Sequence, residues 1–227
     1  SMDGVLPGLP ATLGAPVVVF VVQTSRANYG ALVALFAGGG TMTKTGDSSK
    51  SITFEVMGVA YEPLSAEADS LLAATFQVRF PSVYWRDAST VTSTAASLAS
   101  SVQVTGLLPG ITGIVGDATV RVKGQAAGVQ VTDSGGSWFT YTPALPAGSY
   151  LRFESDTGKA FVTTSDTWSG GTDVSGAVDF GGPRGVFELS PVLAAGNPLS
   201  RSARLTVTAT TFVGATIQVR GRSSYLL

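Results

Sequence analysis

The sequence predicts a mainly β chain in two parts: an N-terminal β-rich part carrying one α-helix, then an antiparallel β-sandwich or jelly roll. Three observations carry that prediction. A strand-length apolar run near the N-terminus is followed by a single stretch with helical spacing. From Gly106 onward the chain is a succession of alternating or β-branched runs, roughly ten residues apart, with turn formers between them and no helical stretch. The length of 227 residues also suits two modest cores, since domains commonly run to about 100–150 residues.

Taken in order, PVVVFVVQ (Pro16–Gln23) is a continuous β-branched and aromatic run that reads as a strand buried on both faces. In the following TSRANYGALVALFAGGG, Thr24 or Ser25 is a suitable N-cap, and Tyr29, Leu32, Val33 and Phe36 recur at helical spacing. Gly38–Gly40 then supply residues that accept a left-handed cap, so a helix is predicted over residues 26–37. TMTKT and SKSITFEVMGVAYEP flank the turn formers Gly46 and Asp47. Ile52, Phe54 and Val56 alternate there with Thr53 and Glu55, which predicts a hairpin. LLAATFQVRF (Leu71–Phe80) adds a long strand, and the first domain is expected to end near residue 88. The small, polar DASTVTSTAASLASS has little to bury, so residues 89–105 read as an extended linker. Residues 106–227 form the second domain, whose strands are separated by Ser134-Gly135-Gly136, Asp156-Thr157-Gly158 and Val213-Gly214.

Composition excludes several functions. A net charge of −1 with only 13% charged residues gives no field to draw the chain to nucleic acid or an anionic membrane. The longest apolar run, APVVVFVV, is far short of the roughly 18–20 residues that span a bilayer as a helix. There is no cysteine for a disulfide or thiolate metal site, and no histidine, the commonest catalytic base and transition-metal ligand. Hydrophobic residues make up 44% of the chain, so the surface is poor in charge and suited to assembly with copies of itself. Ser1-Met2 reads as the remnant of a cleaved tag, and the chain as a fragment or a short relative.

No motif carries chemistry strongly. Gly158-Lys159 lacks the earlier glycine of a phosphate-binding loop, and Ser48, Ser49 and Lys50 fall at a polar hairpin tip. Asp156, Asp166, Asp173 and Asp179 lack the spacing of a calcium loop and read as turn caps. No catalytic residue, metal site or cofactor is assigned, and the expectation is that the chain is not an enzyme. Trp138, Tyr141 and Trp168 are either sandwich core or a platform for a sugar ring, whose C–H groups pack on flat aromatic faces. Arg201, Arg204, Arg220 and Arg222 lie in a segment without Asp or Glu. They cluster as an oligomer interface if the last two strands pair, or else decorate a solvated sheet face.

RFPSVYWRD (Arg79–Asp87) sets a strand ending in Phe80-Pro81 before Tyr84-Trp85-Arg86-Asp87. This resembles the junction between the two domains of distal tail proteins of long-tailed phages, where the first domain ends in a segment of the type DPfWyd. GDATVRVKGQAAGVQVTDSGGSWFTYTPALPAGSYLRFESDTGKAFV is similar to that family's order of a strand, a glycine, a VTD strand, a Gly-Trp hairpin, LPAGSYLRF and a further strand. The closing ATIQVRGRSSYL resembles the Arg-rich, Tyr-ended last strand of minor tail proteins of actinobacterial phages. The resemblance spans most of residues 15–227, although family members carry more β-structure ahead of the first strand. It implies a first domain that is an N-terminal β-sandwich with one α-helix and assembles into a ring, usually a hexamer, below the tail tube, and a second domain that is a galectin-like β-sandwich projecting outward. It implies a virion tail-tip protein, assembled in the host cytoplasm, whose partners are itself, the tail tube and the tail-tip proteins, with host-surface carbohydrate as the ligand of the alternative reading. It also makes Arg79, Tyr84, Trp85 and Arg86 the domain junction, with Trp85 wedged between domains and the two arginines paired across the joint.

Overall fold

The apolar run after Pro16 forms β1 (Val17–Ser25) and leads directly into α1 (Arg26–Ala37), the range that helical spacing predicts. The computed structural model describes residues 17–64, 71–81, 83–99, 101–194 and 197–226. The chain divides into two units, the first extending to Arg86 and taking in the last two residues, the second running from Asp87 to Tyr225.

In the first unit the Ser25 hydroxyl accepts the Asn28 N–H at 3.3 Å, which caps the helix N-terminus. At the other end Gly39 turns the chain with φ +67° and donates its N–H to the Phe36 carbonyl at 2.8 Å. A Cβ on Gly39 would lie 2.6 Å from the Phe54 carbonyl oxygen, so only glycine fits this close approach. The chain continues through β2 (Gly40–Lys44), β3 (Asp47–Pro63), β4 (Leu71–Arg79) and β5 (Trp85–Asp87), with Gly46 at φ +82° in the hairpin turn between β2 and β3. The sheet order is β1-β4-β3-β5, and β2 pairs antiparallel with the first half of β3. Alternation along β4 turns Leu72, Ala74, Phe76 and Val78 inward. Of these, Ala74, Phe76 and Val78, with Ile52, Phe54 and Phe80, form the core on which Tyr29, Leu32, Val33 and Phe36 of α1 pack, and Phe36 stacks on Phe76 with centroids 4.6 Å apart. One side of this sheet is therefore covered by the helix.

The other side is not, and here the structure corrects the sequence expectation for β1. Val18, Phe20 and Val22 pack on the core, whereas Val17, Val19 and Val21 are 57%, 54% and 64% exposed. β1 is buried on one face only. A continuous apolar run hides the two-residue period, because both faces carry the same kind of side chain.

The second unit contains β6 (Val91–Thr92), β7 (Ala96–Leu98), β8 (Val102–Leu107), β9 (Thr119–Lys123), β10 (Ala126–Asp133), β11 (Trp138–Leu145), β12 (Tyr150–Glu154) and β13 (Lys159–Thr163). It continues with β14 (Thr172–Asp173), β15 (Val178–Gly181), β16 (Val192–Ala194), β17 (Asn197–Thr208), β18 (Thr211–Phe212), β19 (Ala215–Gly221) and β20 (Ser224–Tyr225). One sheet runs β15-β11-β10-β17-β16, with β18 on β10 and β8 on β17; the other runs β14-β13-β12-β9-β19-β6, with β7 on β19. Their inner faces meet in one core: Val129, Val131, Phe139 and Leu205 from the first, Val122, Leu151, Phe153 and Ile217 from the second. Phe139 and Phe153 stack across the gap at 4.4 Å, and Phe187 meets both rings edge-on. This is a β-sandwich.

Residues 89–105 are a second correction. The expected linker contains β6, β7 and the start of β8, which pair with β19 and β17 inside the sandwich. Leu98 and Val104 reach its core. Sparse apolar residues on short strands are enough when their backbone groups are paired by longer neighbours.

Candidate functional site

In the first unit the candidate surface is the uncovered sheet face. Register sets Val19 opposite Gln77 and Val21 opposite Thr75, and Thr75 opposite Ala60 on β3. Met57, at the irregularity between Val56 and Gly58, is also exposed. At one end of the row Arg79, opposite Val17, donates its Nε to Glu55 Oε2 at 3.0 Å. β1 is terminal in the sheet order, so the backbone donors and acceptors of its alternate residues that point away from β4 have no strand partner among the described residues. An apolar face beside an open edge is what strand-mediated association uses.

In the second unit the candidate surface is the outer face of the sheet containing β9, β12, β13 and β19. Successive neighbours across it are Gln218, Arg121, Arg152 and Phe161. Arg121 is only 5% exposed, although it sits on the outward side of its strand. The segment between β13 and β14 covers it. Arg121 Nη1 pairs with Asp166 Oδ1 at 2.6 Å and donates to the Thr167 carbonyl at 3.3 Å, Nη2 donates to Gln218 Oε1 at 2.5 Å, and the guanidinium lies 4.3 Å from the Trp168 ring centroid. Arg152, also buried, donates Nε to Glu154 Oε1 at 3.0 Å and lies 4.6 Å from the Phe161 ring centroid. Beside this assembly is a cleft of ≈ 180 Å³ whose walls include Asp117, Thr119, Trp168, Arg220 and Arg222. Arg222 Nη2 pairs with Asp117 Oδ2 at 3.3 Å.

The sequence-derived candidates scatter over these surfaces. Arg79 pairs with Glu55 inside the first unit. Trp85 packs on the first unit's core, its indole N–H buried without a partner among the described residues. Tyr84 and Arg86 are half-buried next to it in the chain. The last two long strands do not pair: Arg201 and Arg204 belong to β17 in one sheet, whereas Arg220 lies on β19 and Arg222 just beyond it in the other. The chain crosses the sandwich between them, so the four arginines form no single cluster. Tyr141 is core, and burial pushes its hydroxyl pKa up. Trp138 faces outward on the sheet that holds β11, while Trp168 lies over the opposite sheet, so the three rings form no common platform. Arg121 and Arg152 were not expected as site residues, since an arginine at an outward strand position reads as solvated.

The weaker motifs resolve as local structure. Lys50 and Ser49 both bind the Asp47 carboxylate, which they hold down at about 2, so Lys50 is an ion-pair partner and not a free base. Gly158 turns the β12–β13 hairpin with φ +65°. Asp173 caps the following turn by accepting from the Ser175 N–H at 2.9 Å and its hydroxyl at 2.6 Å, which lowers its pKa. Asp166 instead serves Arg121. No group of three or more metal-ligating side chains occurs among the described residues.

No protein-family model matches the chain, and no curated protein matches it significantly. Among solved structures it is similar to SPP1 Dit (gp 19.1), described as a paradigm of the hub adsorption apparatus in phages that infect Gram-positive bacteria. The two share 11% sequence identity with a TM-score of 0.50, over 91% of this chain and 79% of the other. At that identity the likeness is one of fold: the chain has the mainly β fold of a phage distal tail protein.

Proposed function

We propose that the chain is a structural protein of a phage tail tip, in which the first units of several copies close a ring that joins the tail tube to the tip or baseplate. The observation that carries this reading is the fold shared with SPP1 Dit over 91% of the chain. The open edge and valine row of β1 support the ring part of it. A protomer that lays this apolar face and edge against a different surface of its neighbour makes a head-to-tail contact, and such contacts generate rings when the rotation closes. The energy comes from apolar burial at an interface with few charges.

With no His or Cys in the chain, Lys50 tied to Asp47, Asp173 capping a turn and Asp166 paired with Arg121, a structural role is favoured over a catalytic one. The protein works in the virion at the tail tip, after assembly in the host cytoplasm, with tail-tube and tail-tip proteins as neighbours. Light scattering over a range of concentrations tests the ring. Mass should rise to a fixed multiple of the 23.1 kDa protomer and stop there, whereas a monomer at every concentration contradicts ring closure by this chain.

A further inference from the structure

The cleft beside Trp168 combines three features that a solvated sheet face does not need. Trp168 is held in place: Arg121, itself buried and tied to Asp166, Thr167 and Gln218, fixes both the segment that carries the indole and the ring. The remaining half-exposed part of the ring walls the cleft. Thr119, directly opposite Arg220 in the strand register, adds a hydroxyl. Finally, two guanidiniums, Arg220 and Arg222, face one carboxylate, Asp117, and that carboxylate is already engaged by Arg222. Arg220 has no ion-pair partner among the described residues; its guanidinium lies 5.8 Å from the Trp168 centroid. The cleft therefore holds a fixed aromatic wall, hydroxyl and carboxylate groups, and one uncompensated positive charge.

We propose that this cleft binds a sugar residue carrying a carboxylate, with the pyranose against Trp168 and its carboxylate on Arg220. An aromatic wall suits the C–H face of a pyranose. A planar guanidinium suits a carboxylate, which it engages through two parallel N–H donors. The cleft volume of ≈ 180 Å³ accommodates one such residue and not a folded peptide. Because the cleft is open, the ion pair alone is weak, and a small carboxylate without a sugar ring gains little. A neutral sugar leaves Arg220 unmatched. Selectivity therefore requires both parts of the ligand. All of these residues belong to the second unit, so the inference stands whether or not the chain forms a ring.

The test is a titration of the full chain, followed by the indole N–H signals in nitrogen–proton correlation spectra, with the Trp168 signal assigned by its loss in W168F. Three probes are compared at low salt: methyl β-glucuronide, methyl β-glucoside and acetate. The glucuronide should shift the Trp168 signal saturably, with a Kd at least about tenfold below that of either other probe. R220Q should remove the advantage over the glucoside with the thermal midpoint unchanged, and R220K should retain part of it. Should R220Q fail to fold, the native chain still decides the matter, since added salt must erode the glucuronide advantage. The proposal is overturned by equal affinities for glucuronide and glucoside, by acetate binding as tightly as glucuronide, by an R220Q protein that keeps the preference, or by no saturable shift at all.

Discussion

At the scale of single residues, the two least expected side chains are a buried acid and a buried base. Asp133, at the end of β10, accepts the Gly135 N–H at 2.6 Å and the Ser190 N–H at 3.1 Å through Oδ2, while its Oδ1 is buried with no partner among the described residues. Burial raises its pKa against the pull of those hydrogen bonds. A group that holds its proton more tightly when folded contributes fully below the ordinary carboxylate value of about 4, and that contribution is lost as pH rises through the folded-state pKa. The denaturation midpoint of native protein should therefore fall relative to D133N as pH increases above about 4. Identical pH dependence of the two would show that folding leaves the Asp133 pKa unshifted. D133A, which strands two backbone N–H groups, should cost about 1–3 kcal/mol at any pH. Arg121 is the buried base, and it explains why sequence reasoning found Trp168 but not its support. TVRVK shows only an arginine at an outward position, and the segment that covers it comes from beyond β13. The alternation in WFTY puts Phe139 and Tyr141 on one face and Trp138 on the other, a separation that grouping Trp138 with Tyr141 passed over.

At the scale of elements, α1 was legible because cap, spacing and terminator agree, and the β2–β3 hairpin because Gly46 marks its turn. The two misread elements fail for opposite reasons. β1 is apolar on both faces, so composition conceals that one face lacks a cover. Residues 89–105 are so polar that pattern conceals strands held by β17 and β19, distant in sequence. The outward valines of β1 support a specific expectation. V19D and V21D replace exposed side chains, so the monomer should keep its thermal midpoint within about 0.5 kcal/mol of stability, while self-association is lost. Loss of folding would make these valines structural, and unchanged association would move the contact elsewhere.

At the scale of the whole molecule, the chain pairs a helix-covered sheet that has one open face with a β-sandwich whose core is closed and whose outer sheet face carries a small basic cleft. The mainly β class was readable from short alternating runs, but the assignment of strands to sheets was not. β17 and β19 are near neighbours in sequence, yet they lie in different sheets and carry their arginines apart. Strand order depends on which apolar faces meet across the core, and that is decided by many long-range contacts at once. The measurement that bears most directly on a tail-tip role is negative-stain imaging of the largest species the purified chain forms. Closed rings of uniform diameter with a central channel are the expected result; open filaments, irregular aggregates or isolated protomers would contradict ring closure.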